Sequence, residues 1–321
     1  MPHVLVAGKI HRAGVSILQA APGVTLDLVD EVSTASYAPM IGKADALLIR
    51  SQPMPGSVIA AAPKLKIVSR HGVGYDSVDV NALSARGIPL AIVGDVNSAA
   101  VAEHTLMLIL GLAKRMLPYD SSVRRGQWGV RDTFAAIEIE GRTLLILGFG
   151  RIGRRVARLA MAFGMKVVAY DPYLEQATIR DAGVTAAPEL GAALEVADFV
   201  TIHAPMSHPH AVVGAAEFAR MKPSAFVVNT ARGGLVDERA LADALTTGRI
   251  AGAGLDVFEV EPALAPSALL ESDRVVVTPH SAALTEECAE RMAVAAAHNI
   301  VDFFNGKLDP ELIVNRAALQ K

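Results

Sequence analysis

The stretch TLLILGFGRIGRRVARLAMAFGMKVVAYD (143–171) decides the fold. It opens on an apolar run, TLLIL, of a length that suits a strand covered on both faces. GFGRIG follows, with Gly148, Gly150 and Gly153 in GxGxxG spacing, and leads into an amphipathic helical pattern. A second apolar run, KVVAY, ends in Asp171, about 20 residues beyond the glycines. A lone GxGxxG is weak. Strand, glycines, helix and acidic strand end in this order form the fingerprint of a dinucleotide-binding βαβ unit. Gly148 permits the tight turn, Gly150 lets the backbone approach a pyrophosphate, and Gly153 lets the helix pack closely on the strand. The pyrophosphate then lies at the positive end of the helix dipole, beside Arg151 and Ile152. A carboxylate at Asp171 accepts hydrogen bonds from ribose hydroxyls and repels a 2′-phosphate, so NAD is the expected cofactor. Arg151, Arg154 and Arg155 are the side chains that would serve NADP instead.

The same rhythm extends both ways. Downstream, FVTIHA, AFVVNTA, AGAGLDV and RVVVTPH continue the strand series. Upstream, HVLVAG, VTLDLV, ADALLIR, LKIVSR and PLAIV alternate with helical stretches such as Ala13–Ala20 and Val78–Arg86. That is the pattern of two open parallel sheets. A long helix from about Ala99 to Leu117 joins them, started by Asn97 and Ser98 and stopped by Pro118. A last helix, Thr285–Phe304, precedes a tail with no strand of its own, and is expected to cross back to the first domain. The fold class is α/β, with two doubly wound parallel-sheet domains. One is flavodoxin-like, over 1–98 and completed by 285–321. The other is a Rossmann domain over 99–284.

Bulk properties agree. A length of 321 residues with 52% hydrophobic side chains suits two domains of about 100–200 residues each. The net charge of -3, from 30 basic and 33 acidic side chains, gives no attraction for nucleic acid or an anionic membrane. The single cysteine, Cys288, excludes an internal disulfide and any metal site built on several thiolates, and no metal is expected. Sparse cysteine suits a reducing cytosol. The N-terminal apolar run is too short for a signal peptide. The longest apolar stretch, near Leu106–Leu112, falls far short of the roughly 20 residues that span a bilayer. A cytoplasmic protein is expected.

Further motifs carry a resemblance: HGVGYDSVDV (71–80), NSAAVAEHTLMLIL (97–110), NTARGGLVDERAL (229–241), GAGLDVFEVEP (252–262) and TPHSAA (278–283). With GFGRIG, in this order, the chain resembles the D-isomer-specific 2-hydroxyacid dehydrogenases over nearly its whole length. It is most similar to the phosphoglycerate dehydrogenase branch, without the regulatory domain of longer members. The resemblance implies a catalytic trio on Arg232, Glu261 and His280. Each suits a 2-keto acid. Arg232 binds the carboxylate and polarises the carbonyl with its rigid fork of donors. His280 passes a proton to the carbonyl oxygen as hydride arrives, and Glu261 orients the ring and favours its charged form.

The resemblance also implies cofactor-lining positions at Val101, His203, Ala204, Pro205, Thr230, Ala231, Asp256, Ser281 and Ala282, besides Arg232 and His280. It further implies that the first domain binds the substrate. There, Gly72, Val73 and Gly74 suggest a backbone nest for the substrate carboxylate. Arg50, Ser51 and His71 stand at strand ends, as do Lys9 and Arg70, and suggest a far end of the substrate that is polar or anionic. The segment IRSQPMP (49–55) lacks the lysine that often follows its arginine in the phosphoglycerate branch, which bears against 3-phosphoglycerate itself.

The expected activity is hydride transfer between NAD and C2 of a small D-2-hydroxy or 2-keto acid, in a cleft between the domains. Candidates are 3-phosphoglycerate, glycerate or hydroxypyruvate, or a related polar acid. The alternatives are formate or phosphite oxidation on the same fold, or an NAD-sensing corepressor. Formate enzymes of this fold pair glutamine with the histidine, and Glu261 opposes that reading. A homodimer is expected, on the apolarity of the Ala99–Leu117 helix and on the dimer arm that the resemblance puts near Trp128.

Overall fold

The computed structural model describes residues 1–206, 211–264 and 266–319. His208 and His210, which the sequence suggests are loop residues, lie outside the described residues. The chain divides into two compact units, Met1–Asn97 with Leu284–Lys321, and Ser98–Ala283.

In the first unit, β1 (His3–Ala7), β2 (Thr25–Val29), β3 (Ala46–Ile49), β4 (Ile67–Arg70) and β5 (Leu90–Ala91) pair in parallel in the order β2-β1-β3-β4-β5. This is the flavodoxin-like order, with its switch point between β1 and β3. The central strand ALLI is buried at every position, which is why it reads as an unbroken apolar run. The helix Glu286–Phe304 belongs to this unit: Ser69 Oγ donates to the Ala296 carbonyl at 2.8 Å and Asn299 Nδ2 to that of Ile92 at 3.1 Å. The tail beyond it forms no strand of its own among the described residues, but it pairs with β5 at an isolated bridge. Ile313 bridges Ala91 antiparallel, and the Ile92 and Val314 N–H groups bond across to Leu312 and Leu90. The tail thereby covers the open edge of β5.

In the second unit the strands are β6 (Thr143–Leu147), β7 (Lys166–Tyr170), β8 (Thr185–Ala186), β9 (Phe199–Ile202), β10 (Phe226–Asn229), β11 (Gly252–Leu255) and β12 (Val275–Val277). They order as β12-β11-β10-β9-β6-β7-β8, all parallel, the Rossmann order with one strand added. Alternate residues of β6 face opposite cores. Leu144 and Ile146 pack with Phe199 and Val228, whereas Leu145 and Leu147 pack with Val200 and Val227. The switch point falls between β6 and β9, where Gly148 and His203 leave the sheet.

The joining segment is two helices rather than one. The first, Ser98–Ala113, stops before Arg115, which takes a left-handed φ of 51° and starts a second helix, Met116–Arg124. Pro118 lies in the first turn of that second helix, where its missing N–H has no intrahelical acceptor to lose. Much of the apolar surface of the first helix is used within its own unit, since Ala102, Leu106, Leu108, Ile109 and Leu112 are buried in the core, while Met107 is exposed. Among the described residues no helix is long and apolar enough to cross a membrane.

Candidate active site

The functional side chains of the second unit leave the carboxyl ends of β6, β7, β9, β10, β11 and β12, the edge where open α/β sheets bind ligands. Gly148 takes a φ of +92°, and a Cβ there would lie 2.7 Å from the backbone of His203. A Cβ on Gly153 would lie 2.2 Å from the Gly148 carbonyl oxygen. Gly150 is different: a Cβ there meets no protein atom within 4 Å. It would instead enter open space at the N-terminus of the helix Arg151–Ala162, whose N-cap makes no side-chain bond. Two glycines pack the turn and the third keeps the helix end open, as a bound pyrophosphate requires.

Asp171, at the end of β7, accepts from the N–H groups of Phe149 and Tyr173, both at 2.9 Å. These bonds fix its carboxylate against the glycine turn, and each oxygen keeps a lone pair for a ribose hydroxyl. Of the neighbouring arginines, Arg154 stacks over Phe149 at 4.9 Å and Arg151 is exposed. Ile152 packs partly against the core. His203 is held neutral: burial pushes it down to about 3. Its Nε2 lies 3.0 Å from Thr201 Oγ1, and its buried Nδ1 has no partner among the described residues. Ala204 and Pro205 follow on the same strand exit.

After β10, Asn229 folds its amide over the next turn. Its Oδ1 accepts from Ala231 N at 3.0 Å and its Nδ2 donates to the Arg232 carbonyl at 2.8 Å. The Arg232 guanidinium is half-buried, with Nη1 bonded to the Ala231 carbonyl at 2.6 Å. Thr230 is buried, its hydroxyl 3.0 Å from that of Thr105, which also donates to the Val101 carbonyl.

Glu261 and His280 meet directly: His280 Nδ1 lies 2.7 Å from Glu261 Oε2. The other carboxylate oxygen, Oε1, accepts from Phe258 N at 3.1 Å. A carboxylate only accepts, so Nδ1 carries the hydrogen and Nε2 is the ring nitrogen left for proton exchange. His280 has a left-handed φ of 51°, uncommon for a residue with a side chain. Its N–H donates to the Asp256 carbonyl at 2.7 Å.

Sequence reasoning missed a second carboxylate contact in this region. The Glu238 N–H donates to Glu259 Oε1 at 3.2 Å, and the Glu259 N–H to Glu238 Oε1 at 2.5 Å. This reciprocal clasp ties the helix Glu238–Thr246 to the loop that carries Glu261. Burial, and then the charges of Glu259 and Glu261, raise the Glu238 carboxyl above its usual range. The run VDERAL signals a helix start at Asp237, but no residue spacing reveals the clasp.

In the first unit, Lys9, Arg50 and Arg70 follow or end the adjacent strands β1, β3 and β4. Arg50 Nη1 donates to the Lys9 carbonyl at 3.2 Å, and Arg70 Nη1 to that of His71 at 2.7 Å. Ser51 is exposed, while Val73 and Gly74 are half-buried. The Gly72 N–H bonds to the Arg70 carbonyl at 2.9 Å. His71 follows the end of β4. It is 5% exposed, and burial, then Arg50 and Arg70, push it down from 6.5 to about 4.

That depression has a consequence for stability. The unfolded chain protonates His71 below 6.5, and the folded chain does not until about pH 4. Stability is therefore complete above pH 6.5 and is lost as pH falls through this window, by about 3 kcal/mol. Urea titrations at pH 7 and pH 4.5 should show His71→Leu losing less stability on acidification than wild type. An equal loss in both would exclude His71 as the acid-sensitive group.

Comparisons with known proteins point to the same fold and to the same dinucleotide-binding domain. Residues 106–282 match the model of the D-isomer specific 2-hydroxyacid dehydrogenase, NAD binding domain. A D-3-phosphoglycerate dehydrogenase of Mycobacterium tuberculosis is 40% identical over 315 residues, 98% of this chain and 59% of its own length. A glyoxylate reductase of Korarchaeum cryptofilum is 37% identical over 320 residues, covering 97% of this chain and 96% of its own length. Among solved structures, a D-lactate dehydrogenase from Aquifex aeolicus complexed with NAD and lactic acid superposes with a TM-score of 0.88. It is 27% identical, with 97% of this chain and 99% of that one covered. The chain belongs to the D-isomer-specific 2-hydroxyacid dehydrogenase family, and its second unit carries the family's NAD-binding domain. It spans about 60% of the length of the phosphoglycerate dehydrogenases that it matches.

Proposed function

We propose that the chain is an NAD-dependent dehydrogenase of small D-2-hydroxy acids, working in the cytoplasm and reducing the corresponding 2-keto acids in reverse. The observation that carries this reading is the 2.7 Å pair of His280 and Glu261, in the same unit as the dinucleotide fingerprint. The bound cofactor supplies or accepts the hydride. Arg232 grips the substrate carboxylate and polarises the carbonyl. His280 gives a proton from Nε2 to the carbonyl oxygen, or removes one from the hydroxyl, while Glu261 holds Nδ1–H and so fixes the ring. Glutamate in this place supports a hydroxy acid over formate.

The first unit, in this reading, is the substrate domain. Lys9, Arg50 and Arg70 give it a cationic sheet edge suited to a second polar or anionic group on the acid. Apolar side chains exposed on the second unit, Trp128 at 65% and Phe134 at 87% among them, support a homodimer.

The test is NADH oxidation with glyoxylate, hydroxypyruvate, 3-phosphohydroxypyruvate and pyruvate, repeated with NADPH and with Arg50→Ala. The expected result is turnover with NADH favoured, pyruvate the poorest, and the ranking flattened in the variant. Light scattering on the same protein should give twice the mass of one chain. Absence of turnover on the whole panel would overturn the activity, and preference for NADPH would overturn the role of Asp171.

A further inference from the structure

Asp256 stands just past β11 and is fully buried, yet its carboxylate is crowded with donors. Oδ1 accepts from Thr278 Oγ1 at 2.6 Å and from Ser281 N at 2.8 Å, and Oδ2 accepts from Ala282 N at 2.9 Å. With its own carbonyl taking the His280 N–H, this one residue holds the turn 278–282 at four points. Thr278 has a single hydroxyl hydrogen, and the Asp256 carboxylate can only accept. The hydrogen therefore goes to Asp256, and Thr278 Oγ1 must accept at its other contact. That contact is His104 Nε2 at 2.9 Å, from the helix Ser98–Ala113. Donor counting fixes the chain as His104 Nε2–H to Thr278 Oγ1–H to Asp256 Oδ1. His104 Nε2 also lies 3.5 Å from that carboxylate oxygen.

We infer that His104 and Thr278 are positioning residues for His280. They hold the Asp256 carboxylate in the orientation that stabilises the left-handed turn, and so aim the His280 imidazole. A buried carboxylate with a missing donor would seek another one. The nearest alternatives are water or a shifted backbone N–H, and either moves His280. A displacement of about 1 Å in a reacting group can cost about 10²-fold in rate. His104 thus serves the site from a helix that bears none of the three proposed catalytic side chains.

The inference rests on His280 being the proton donor, so His280→Ala is measured alongside. The variants are Thr278→Val, which keeps the shape and removes the hydroxyl, Thr278→Ser, which restores it, His104→Leu, and the double Thr278→Val/His104→Leu. The readouts are kcat with the best keto acid of the panel, the NADH dissociation constant by fluorescence, and the primary isotope effect with 4-deuterated NADH. Thr278→Val and His104→Leu should each lower kcat about tenfold or more, with a larger isotope effect and a smaller change in NADH binding. Thr278→Ser should stay near wild type, and the double variant should be little worse than the poorer single one. If His280→Ala is inactive while Thr278→Val and His104→Leu keep kcat within twofold, the positioning role is overturned and the catalytic reading stands. The positioning role is equally overturned if NADH binding falls as much as kcat, or if Thr278→Ser fails to rescue. If His280→Ala is itself active, the catalytic reading falls and this one with it.

Discussion

His280→Ala should lower kcat for keto-acid reduction by about 10²–10⁴-fold, the usual contribution of a positioned general acid. The fold should be unaffected, because the ring is half exposed and is tied through its bond to Glu261 rather than packed in a core. Glu261→Gln should cost less, about tenfold to 10²-fold, for a reason visible in the bonds. The carboxylate accepts at both oxygens, from His280 Nδ1–H and from Phe258 N–H. A glutamine amide accepts at one end and donates at the other. Either the ring or the loop N–H then faces a donor. The double variant should be no slower than His280→Ala alone, since Glu261 acts through the ring it holds. Steady-state kinetics on the three variants, at one saturating keto acid, check this. Multiplicative losses would mean that Glu261 touches the reaction independently.

Much of the fold is legible because parallel sheets are covered on both faces. LLIL of β6 and ALLI of β3 have no polar alternation to confuse the reading. The less legible features depend on neighbours. Two-residue β8 has too few positions to show a period. Pro118 reads as a helix stop, although a first turn tolerates it as well. The burial of His71 and its closeness to Arg50, which stands at the end of the neighbouring strand β3, leave no mark in the local sequence. At the site, the glycine fingerprint is contiguous and reads directly. Glu261 and His280 are 19 residues apart, and no local pattern joins them. They meet because β11 and β12 are paired, with Leu255 beside Val277, so the loops that leave them start side by side. Only the family resemblance points to the pair. The link from His104 to the turn of His280 emerges only once the hydrogen bonds are counted.

Gly233→Ala should reduce turnover at least 10²-fold and lower the melting temperature together. In NTARGG, the glycine after Arg232 is easily taken for a flexible turn residue. Its place is tighter than that. A Cβ on Gly233 would fall 1.8 Å from the Phe258 carbonyl oxygen and 2.7 Å from Glu259 N. Both are backbone atoms, so no side chain can rotate aside. The turn that carries Arg232 is thus pressed onto the loop that carries Glu261, with only hydrogen between them. Relief requires the two loops to separate. Asn229 anchors one through Ala231 and Arg232, and the Glu238–Glu259 clasp anchors the other. Overpacking a rigid site typically costs about 1–3 kcal/mol, occasionally more. The separation also draws Arg232 away from the Glu261–His280 pair, and loss of about 1 Å in such a relation is worth about 10²-fold in rate. NADH binding should weaken too, because the residues 230–232 expected to line the cofactor share this turn, while the Gly148–Gly153 turn on β6, two strands away in the sheet, still holds the pyrophosphate. Calorimetry, NADH fluorescence and steady-state rates on the one variant separate these effects. Retention of half the wild-type kcat would show that the close approach of the two loops does not matter to the reaction.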